Sequence, residues 1–406
     1  MMQENALLET TVLNEDDGIT LEAIDEQAER VKAVVSQIRG TMLAPDSRKQ
    51  PPTFSSGDLA ELTGWDKSKV LTRIKKGDLP VGTLSPSGAR REFTLSEARH
   101  WVRVAREGDL RPAGTTAVTV CIGNFKGGVS KTTTAATVAQ GLSLAGHRVL
   151  LIDCDPQGSL TTLFGILPDS EVEIGDTVLP LFKGEQADVS YAIRQTYWDG
   201  IDLVAAAPFL FGAEFTLPAR QMANPNFEFW KVLDLSLDAA REDYDFIIID
   251  TPPALSYTTI NALMAADGIV MPLPPNALDF ASSAQFWDLF SDLTNSLIRQ
   301  RGGTKKFSFI DVLPTKVEST DQTGLMVKKW MATAYADKLV QVEIPKTAAA
   351  NTSSAEFGTV YDRVANASAR TFKRATEAYD RLVDLIEDQG QLFWTRQLDQ
   401  LRGAAR

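Results

Sequence analysis

The sequence predicts an α/β fold with a mainly parallel sheet flanked by helices, preceded by a winged helix-turn-helix module and an N-terminal helix. Three patterns carry this prediction: an amphipathic segment, then a helix–turn–helix pattern, then apolar runs alternating with helical segments after Thr116. The apolar runs are continuous, as is typical of strands buried on both faces of a parallel sheet. They cover residues 118–122, 149–152, 201–205, 246–249, 269–273, 307–312 and 340–344.

Composition is that of an ordinary globular protein. The chain has a formal net charge of -12 and 44% hydrophobic residues. Its length of 406 residues is enough for two or three domains. The charge is uneven, since residues 51–115 hold 11 basic and 8 acidic side chains. Contacts with nucleic acid are therefore expected in this stretch rather than along the whole chain.

Several classes of protein are disfavoured by simple absences in the sequence. The two cysteines, Cys121 and Cys154, lie in or directly after apolar strand-like runs, so no disulfide framework is expected. The acidic N-terminal residues lack the apolar stretch of a signal peptide, and no apolar run approaches the length of a membrane span. These features predict a cytoplasmic protein with no membrane partner.

We divide the chain into an N-terminal helix within residues 1–45, a winged module in 46–113 and an α/β domain in 114–406. Residues 19–38 place apolar side chains at spacings of three and four, which predicts an amphipathic helix. A lone helix of this length is marginal in water, so its apolar stripe needs a partner. Packing on its own chain and pairing with a second copy, as a dimerisation arm, both remain open.

The winged module is predicted from its capping and turn residues. A short helix ends near Leu62, a turn follows at residues 63–65, and Asp66 caps a second helix over 67–76. Residues 81–93 are expected to form a hairpin wing. This is the spacing of a DNA-binding helix-turn-helix, although the same shape also occurs as a structural corner. The candidate DNA contacts are Lys67, Lys69, Thr72, Arg73 and Lys76 on the second helix, with Arg90 and Arg91 in the wing.

A glycine-rich segment, GNFKGGVSKTT over residues 123–133, follows the first predicted strand and opens a helix. Such a loop aims backbone N–H groups at a phosphate. Lys131 would reach the β- and γ-phosphates, and the Thr132 hydroxyl would ligate Mg²⁺. The ordinary phosphate-loop pattern does not match, because Phe125 and Ser130 stand where its two glycines belong.

The informative departure is an additional lysine, Lys126, five residues before Lys131. The pattern K-G-G-x-x-K-T-T resembles the deviant Walker A motif of the ParA/MinD group of P-loop NTPases. That resemblance implies ATP or ADP with Mg²⁺ as cofactors, and a homodimer in which Lys126 crosses to the partner subunit's phosphates. The nucleotide-binding residues it implies here are Lys126, Gly127, Gly128, Val129, Ser130, Lys131, Thr132 and Thr133.

Two acidic residues, Asp153 and Asp155, directly follow the second predicted strand. Carboxylates beside a hydrophobic sheet are costly unless a cation or a water network receives them. The segment D-x-D-P-Q-G resembles the second motif of the same family. The resemblance implies that Asp155 orients the attacking water and that Asp153 lies near the metal shell, so both join Lys126 and Lys131 as candidate catalytic residues.

The run of four apolar residues ending at Asp250 has the form of a Walker B strand. Its carboxylate would hold Mg²⁺, as phosphoryl-transfer sites require. The following Asp-Thr-Pro-Pro also resembles the family's form. Candidate adenine contacts come from later strand ends, where the resemblance points to Pro314, Pro345 and Lys346.

The C-terminal region bears on two possible functions, DNA binding and membrane binding. In related ATPases, basic residues in this region support DNA binding. Here acidic neighbours make a solvated mixed-charge face an equal alternative. The basic residues are Arg363, Arg370, Lys373 and Arg374. The apolar residues around Trp394 are interrupted by Asp399, which favours a packed terminal helix over a membrane-binding one.

The resemblance covers residues 116 to about 375, and the N-terminal module matches the larger plasmid-borne ParA subtype. It implies an ATPase that partitions plasmid DNA: ATP joins two subunits, and the dimer binds DNA without sequence preference on the nucleoid. A ParB-type centromere-binding partner would stimulate hydrolysis, and the winged module would recognise operator DNA and repress its own operon. Two alternatives remain: a repressor in which nucleotide is only a ligand, and an ATPase that positions a chromosome or other cargo.

Overall fold

A computed structural model describes residues 18–42, 49–85, 88, 90–299, 302–318, 320–346, 358–362 and 369–404. The chain separates into two compact units, residues 1–49 and residues 50–406. Three residues of the expected wing tip (86, 87 and 89) and the predicted DNA candidate Arg363 lie outside the described residues, as does the side chain of Arg370.

The first unit contributes one described helix, α1 (Leu21–Met42), where the sequence predicts an amphipathic helix. Its apolar side chains are exposed as far as the description extends, including Leu21, Ile24 and Val31. Ion pairs between Arg30 and Glu26 and between Lys32 and Glu29 lie on the same helix. Packing of the apolar stripe on its own chain and its pairing with a second copy therefore both stay predictions.

The second unit begins with the expected helix pair and hairpin. Its elements are β1 (Phe54–Ser55), α2 (Ser56–Thr63), α3 (Lys67–Lys76), β2 (Thr83–Leu84), β3 (Arg91–Phe93) and α4 (Leu95–Ala105). Ser55 and Asp58 form a capping box on α2, Asp66 caps α3, and Thr94 and Glu97 form a second box on α4. The three strands form an antiparallel sheet in the order β1-β3-β2.

The main sheet has seven strands among the described residues, in the order β10-β9-β4-β8-β5-β7-β6. All neighbours are parallel except β6 and β7. The strands are β4 (Val118–Ile122), β5 (Val149–Asp153), β6 (Arg194–Gln195), β7 (Ile201–Val204), β8 (Phe246–Asp250), β9 (Gly268–Leu273) and β10 (Phe309–Pro314). The prediction of a mainly parallel sheet flanked by helices is confirmed.

One predicted strand is wrong. Residues 340–344 form no ladder: they lie between the isolated bridges Val312–Leu339 and Val317–Pro345, and the N–H groups of Val340 and Ile344 donate to carbonyls of β10. In this stretch Gln341 and Glu343 alternate with partly buried valines, Val340 and Val342, so only one side is apolar. The segment therefore lies along β10 at the edge of the sheet, with Ile344 buried in the core, but does not form a continuous strand.

Helices cover both faces of the sheet. They are α5 (Lys131–Leu144), α6 (Ser159–Leu163), α7 (Leu179–Lys183), α8 (Ala213–Ala223), α9 (Val232–Ser236), α10 (Asp238–Asp243), α11 (Tyr257–Ala265), α12 (Ala277–Leu297), α13 (Gln322–Tyr335) and α14 (Ala369–Ala404). On one face of the sheet, the buried side chains of α5 and α14 and the core of the winged module form a single continuous hydrophobic cluster.

Small residues allow α5 and α14 to pack closely. A Cβ atom added at Gly141 of α5 would lie 2.3 Å from the Val383 side chain of α14, so glycine is required there. Trp394 of α14 is fully buried against Phe246, which confirms that the terminal helix is packed. None of the described helices has the length and apolar character needed to cross a membrane.

Candidate active site

The phosphate-binding segment predicted at residues 123–133 connects β4 to α5, at the carboxyl edge of the sheet. Gly128 and Ser130 both have left-handed backbone conformations, with φ of 73° and 79°. Ser130 precedes α5 directly, and within the described structure its side chain makes no capping hydrogen bond to the helix. The first N–H groups of α5 are therefore available to an anion, since helix N-termini attract negative charge.

Lys131 is the first residue of α5 and is only 6% exposed. Its Nζ donates a 2.8 Å hydrogen bond to the backbone carbonyl of Lys126, across the glycine-rich turn. Burial lowers the pKa of Lys131, while the nearby carboxyl groups of Asp250 and Asp155 act in the opposite direction. A buried ammonium pointing back across the loop is positioned to meet an anion held in that loop.

Asp250, at the end of β8, is fully buried, and neither carboxylate oxygen has a hydrogen bond within normal distance among the described residues. Burial and then the charge of Asp153 raise the pKa of Asp250 well above its usual range, and the nearby Thr132 hydroxyl acts in the opposite direction. An orphaned carboxyl beside a threonine hydroxyl fits the protein half of a Mg²⁺ site. Across the described ranges no three acidic, histidine or cysteine residues cluster as a complete metal site. Mg²⁺ would therefore draw its other ligands from phosphate and water, as it commonly does.

Asp153 lies directly opposite Asp250 in the register of β5 and β8. Its oxygens accept hydrogen bonds from the backbone N–H of Asp155 at 3.1 Å and from the N–H and hydroxyl of Thr161 at 2.9 and 2.7 Å. Burial outweighs these bonds and raises the pKa of Asp153 to about 7. The side chain thus fixes the turn between β5 and α6, on the strand next to the predicted metal ligand Asp250.

Asp155 is nearly buried, at 8% exposure. Its Oδ1 accepts a 2.9 Å hydrogen bond from the N–H of Gln157. Burial raises its pKa, and the positive charge of Lys131 partly opposes that rise. The structure thus brings four of the predicted residues to one strand edge: Lys131, Asp153, Asp155 and Asp250.

Lys126 makes an ion pair within its own chain. Its Nζ lies 2.6 Å from Oδ1 of Asp279, near the start of α12. Asn124 fixes the loop beneath it, accepting a hydrogen bond from the Lys126 N–H at 3.0 Å and donating one to the Pro272 carbonyl at 2.9 Å. Phe125 packs on Phe286 of α12 with ring centroids 4.5 Å apart.

Asp279 was missed by sequence reasoning. The sequence does contain a signal for a polar site here. Asn276 caps α12 and bonds Asp279, and both residues follow β9, whose end lies at the same sheet edge as the other motifs. An Asn-x-x-Asp pattern reads as an ordinary helix start, however, and nothing in it marks a lysine partner. The pair is visible only once the fold brings α12 beside the glycine-rich loop.

A cavity of about 300 Å³ opens beside the loop at Gly128. Lys346, a predicted adenine contact, lines this cavity and pairs with Glu318 at 2.6 Å. Lys316 also lines it and donates a 2.5 Å hydrogen bond to the Gly128 carbonyl. Pro314 and Pro345 are buried at the ends of their segments and are not among the lining residues in the described structure.

The predicted DNA contacts of α3 are mostly engaged on the module itself. Lys69 Nζ lies 3.8 Å from the centroid of the Trp65 ring, and Arg73 and Lys76 pair with Asp78 at 3.2 and 3.3 Å. The Thr72 hydroxyl donates to the Ser68 carbonyl. These partners are local and solvent-accessible, so a DNA phosphate could replace them at little cost.

The side chains of the remaining DNA candidates differ in exposure and in hydrogen bonding. Lys67 and Arg90 are exposed, whereas Arg91 is half-buried and donates a 2.5 Å hydrogen bond to the Val81 carbonyl in the hairpin. Arg91 therefore helps to hold the hairpin. The roles of all seven residues in DNA binding stay predictions.

Comparison with known sequences places this site in context. A protein-family profile described as an AAA domain matches residues 117–300. The chain is 32% identical over 268 residues to Protein SopA of Escherichia coli strain K12, covering 63% of this chain and 67% of that protein. It is 30% identical over 270 residues to the chromosome partitioning protein ParA of Caulobacter vibrioides strain NA1000 / CB15N, covering 64% of this chain and 94% of that protein.

Solved structures with a similar fold are also found. Cobyrinic acid a,c-diamide synthase from Mycobacterium smegmatis, with bound ADP and magnesium, is 29% identical, with a TM-score of 0.51 over 66% of this chain and 93% of that chain. A structure named Partition Protein shares the fold, with a TM-score of 0.66 at 19% identity over 91% of this chain and 98% of that chain.

Proposed function

Because the chain belongs to the ParA family of partition ATPases, we propose that it is a Mg²⁺-ATP-dependent switch that segregates plasmid DNA. It is a P-loop ATPase whose cofactors are ATP or ADP and Mg²⁺. The observation that supports the proposed catalytic centre most strongly is Asp250. A fully buried carboxyl without a hydrogen bond destabilises the fold, unless it serves a cation beside Thr132.

Each residue of the centre has a proposed part in hydrolysis. The loop N–H groups and Lys131 bind the phosphates, Lys131 exchanging the Lys126 carbonyl for phosphate oxygen. Thr132 and Asp250 would hold Mg²⁺, which neutralises charge on the β- and γ-phosphates when bound. Asp155 orients the attacking water, whose oxygen bonds to the γ-phosphorus as the bond to ADP breaks, giving ADP and phosphate. Asp153 holds the turn that presents Asp155.

Lys126 is the proposed link between nucleotide and dimer. In the single chain its ammonium is neutralised by Asp279 at 2.6 Å. We propose that ATP binding in two facing subunits draws Lys126 away from Asp279 and onto the partner's phosphates. Hydrolysis removes the γ-phosphate, and the lysine returns to Asp279 as the dimer separates.

The finer biological role follows from this cycle. The ATP dimer binds DNA without sequence preference through phosphate contacts, which makes that binding strongly salt-dependent. A ParB-type centromere-binding protein stimulates hydrolysis and releases the DNA. The protein is then cytoplasmic when free and on the nucleoid when ATP-bound, and the winged module lets it bind operator DNA and repress its own operon.

The Lys126→Gln variant tests the proposed switch. It should bind Mg²⁺-ATP with the wild-type Kd but lose dimer formation and stimulated turnover, since only the contact to the second subunit is removed. The measurements are calorimetric titration with a slowly hydrolysed ATP analogue, mass photometry, and phosphate release with DNA and the partner protein present. Lys231→Gln is a matched control, because Lys231 pairs only with Glu228 on the surface among the described residues. Wild-type turnover in Lys126→Gln would remove the role given to this lysine.

A further inference from the structure

The winged module packs on the ATPase domain through a shared hydrophobic core, and a buried arginine of α4 adds polar contacts to it. Arg99 is 7% exposed. It donates hydrogen bonds to the carbonyls of Ser143 at 2.9 Å and His147 at 2.8 Å, and to the carboxylate of Asp199 at 2.5 Å. A buried guanidinium with this many partners fixes orientation, because its planar donors must all be satisfied together.

The ATPase domain is shaped to receive this side chain. Gly200, next to Asp199, has φ of 80°, and a Cβ atom added there would lie 2.0 Å from Cζ of Arg99. The guanidinium therefore lies directly on the glycine backbone. Any larger residue at position 200 would expel it.

Two further arginines of the same segment reach the same place. Arg103 donates to the Gly146 carbonyl, and Arg106 donates to the Ala145 carbonyl at 3.3 Å. Arg106 also makes two bonds, of 2.9 and 3.0 Å, to the Glu387 carboxylate of α14.

All the carbonyls contacted belong to one feature, the C-terminal end of α5 and the turn after it, from Ser143 to His147. The last carbonyls of a helix lack partners within the helix and carry partial negative charge. The module thus supplies the cationic cap of α5.

The opposite end of α5 is the phosphate-binding loop. The helix has 14 residues and is therefore about 21 Å long at 1.5 Å per residue. It is buried along most of its length and held near its C-terminal end by the close contact of Gly141 with Val383. A tightly packed helix moves as a rigid body rather than deforming locally.

We propose that α5 couples the nucleotide site to the winged module, with Arg99, Arg103 and Arg106 as positioning residues. Nucleotide binding at Lys131 shifts or rigidifies α5, and the three arginines transmit that change to α4 and so to α3. Coupling of this kind is reciprocal, so a ligand on the module must change nucleotide affinity by the same factor. The inference rests on the proposed nucleotide site, but not on the proposed binding of DNA.

The test is hydrogen–deuterium exchange of the full chain with and without Mg²⁺-ADP, which needs no DNA. In the wild type, Mg²⁺-ADP should slow exchange in the loop and α5, and also in residues 67–105 of the module. In Arg99→Gln and in Gly200→Ala, the loop should still be protected and the Kd for ADP unchanged, while the effect on residues 67–105 is lost. His100→Gln is the matched control, since His100 is the exposed neighbour of Arg99 on α4 and should keep the full response.

The outcomes separate the two claims. No ADP binding by the wild type would contradict the proposed nucleotide site itself. Protection confined to the loop and α5 in the wild type would overturn the coupling and leave the ATPase standing, as would a full module response in both variants. If Arg99→Gln fails to fold, which lost ADP binding would reveal, Gly200→Ala and the milder Asp199→Asn decide between these outcomes.

Discussion

The phosphate-binding edge and helix α3 both concentrate charge, but they do so in opposite ways. At the edge, Lys131, Asp153 and Asp250 are buried, and Asp250 lacks a hydrogen-bond partner among the described residues. On α3, Lys69 lies on an aromatic ring and Arg73 pairs with a neighbouring carboxylate close to solvent. The first arrangement costs stability, whereas the second costs almost nothing.

This difference decides how far each region supports a function. An exposed cation is compatible with DNA binding but equally with a solvated surface. A buried carboxyl without a partner needs an explanation, and a bound cation supplies one. Substitutions in the two regions should therefore differ in the way that the burial of their charged groups implies.

The largest effect is expected for Asp250→Asn. It should lower Mg²⁺-dependent phosphate release by on the order of 100-fold or more, because the charge that holds the metal is removed. The melting temperature without nucleotide should stay level or rise by about 2 °C, since the cost of burying an ionisable carboxyl without a hydrogen bond is removed. Phosphate-release kinetics and thermal unfolding measure the two effects.

Asp245→Asn is the contrast for that experiment. Asp245 is also buried, but it pairs with Arg111 at 3.1 Å and accepts a 2.8 Å hydrogen bond from the Arg148 N–H. Its loss should lower the melting temperature by roughly 2–4 °C and leave the stabilisation by Mg²⁺-ADP intact. Equal destabilisation by both substitutions would mean that Asp250 is a structural residue.

Asp155→Ala should slow hydrolysis while preserving ATP binding, so that the ATP-bound form accumulates. We expect a fall of roughly 100-fold in single-turnover rate, a typical result of removing a group that orients the reacting water. Filter binding of radiolabelled ATP and single-turnover kinetics separate the two steps. An unchanged rate would end the role proposed for this carboxylate.

Helix α3 should show smaller effects. Lys67→Gln should weaken DNA binding on every sequence and reduce the salt slope by about 1, as expected when one phosphate contact is lost. Arg73→Gln should do the same and also destabilise the module, since Arg73 additionally pairs with Asp78. Anisotropy titrations at several salt concentrations provide the slopes. Slopes unchanged in both variants would place the DNA surface elsewhere.

The smallest effect concerns pH and His147, a buried ring 2.8 Å from Glu387 and 3.6 Å from Asp245. Burial opposes its protonation, but the two carboxylates outweigh burial and raise the pKa of His147 above 6.5. Its stabilisation is therefore complete below about pH 6.5 and is lost as the pH rises through the higher folded value.

The same interactions lower the pKa values of Asp245 and Glu387 despite their burial, so their stabilisation is lost only as the pH falls through those lowered values. Arg106 faces Glu387 and Arg111 faces Asp245, each as an ion pair with that carboxylate. The melting temperature should decline by about 2–4 °C on the alkaline side, and His147→Gln should flatten that decline. An identical alkaline limb in the variant would contradict the assignment.

Local motifs predicted the sheet and the phosphate-binding edge well. Asp153 and Asp250 end two strands and Lys131 follows β4 after the glycine-rich loop, and parallel strands bring their carboxyl ends to one edge. The strand expected at 340–344 failed because a short apolar alternation does not reveal whether a ladder partner exists. The pairing of Lys126 with Asp279 and the docking of Arg99 escaped prediction for a related reason, since each joins residues that are distant in sequence.

The central claim, an ATP-driven DNA switch, is tested most directly by measuring binding of the full chain to random-sequence DNA. The comparison is between no nucleotide, Mg²⁺-ADP and a slowly hydrolysed ATP analogue with Mg²⁺, over a range of salt. We predict salt-sensitive binding by a dimer that appears only with the ATP analogue. Binding restricted to the protein's own promoter and indifferent to nucleotide would contradict the switch and favour a repressor for which nucleotide is only a ligand.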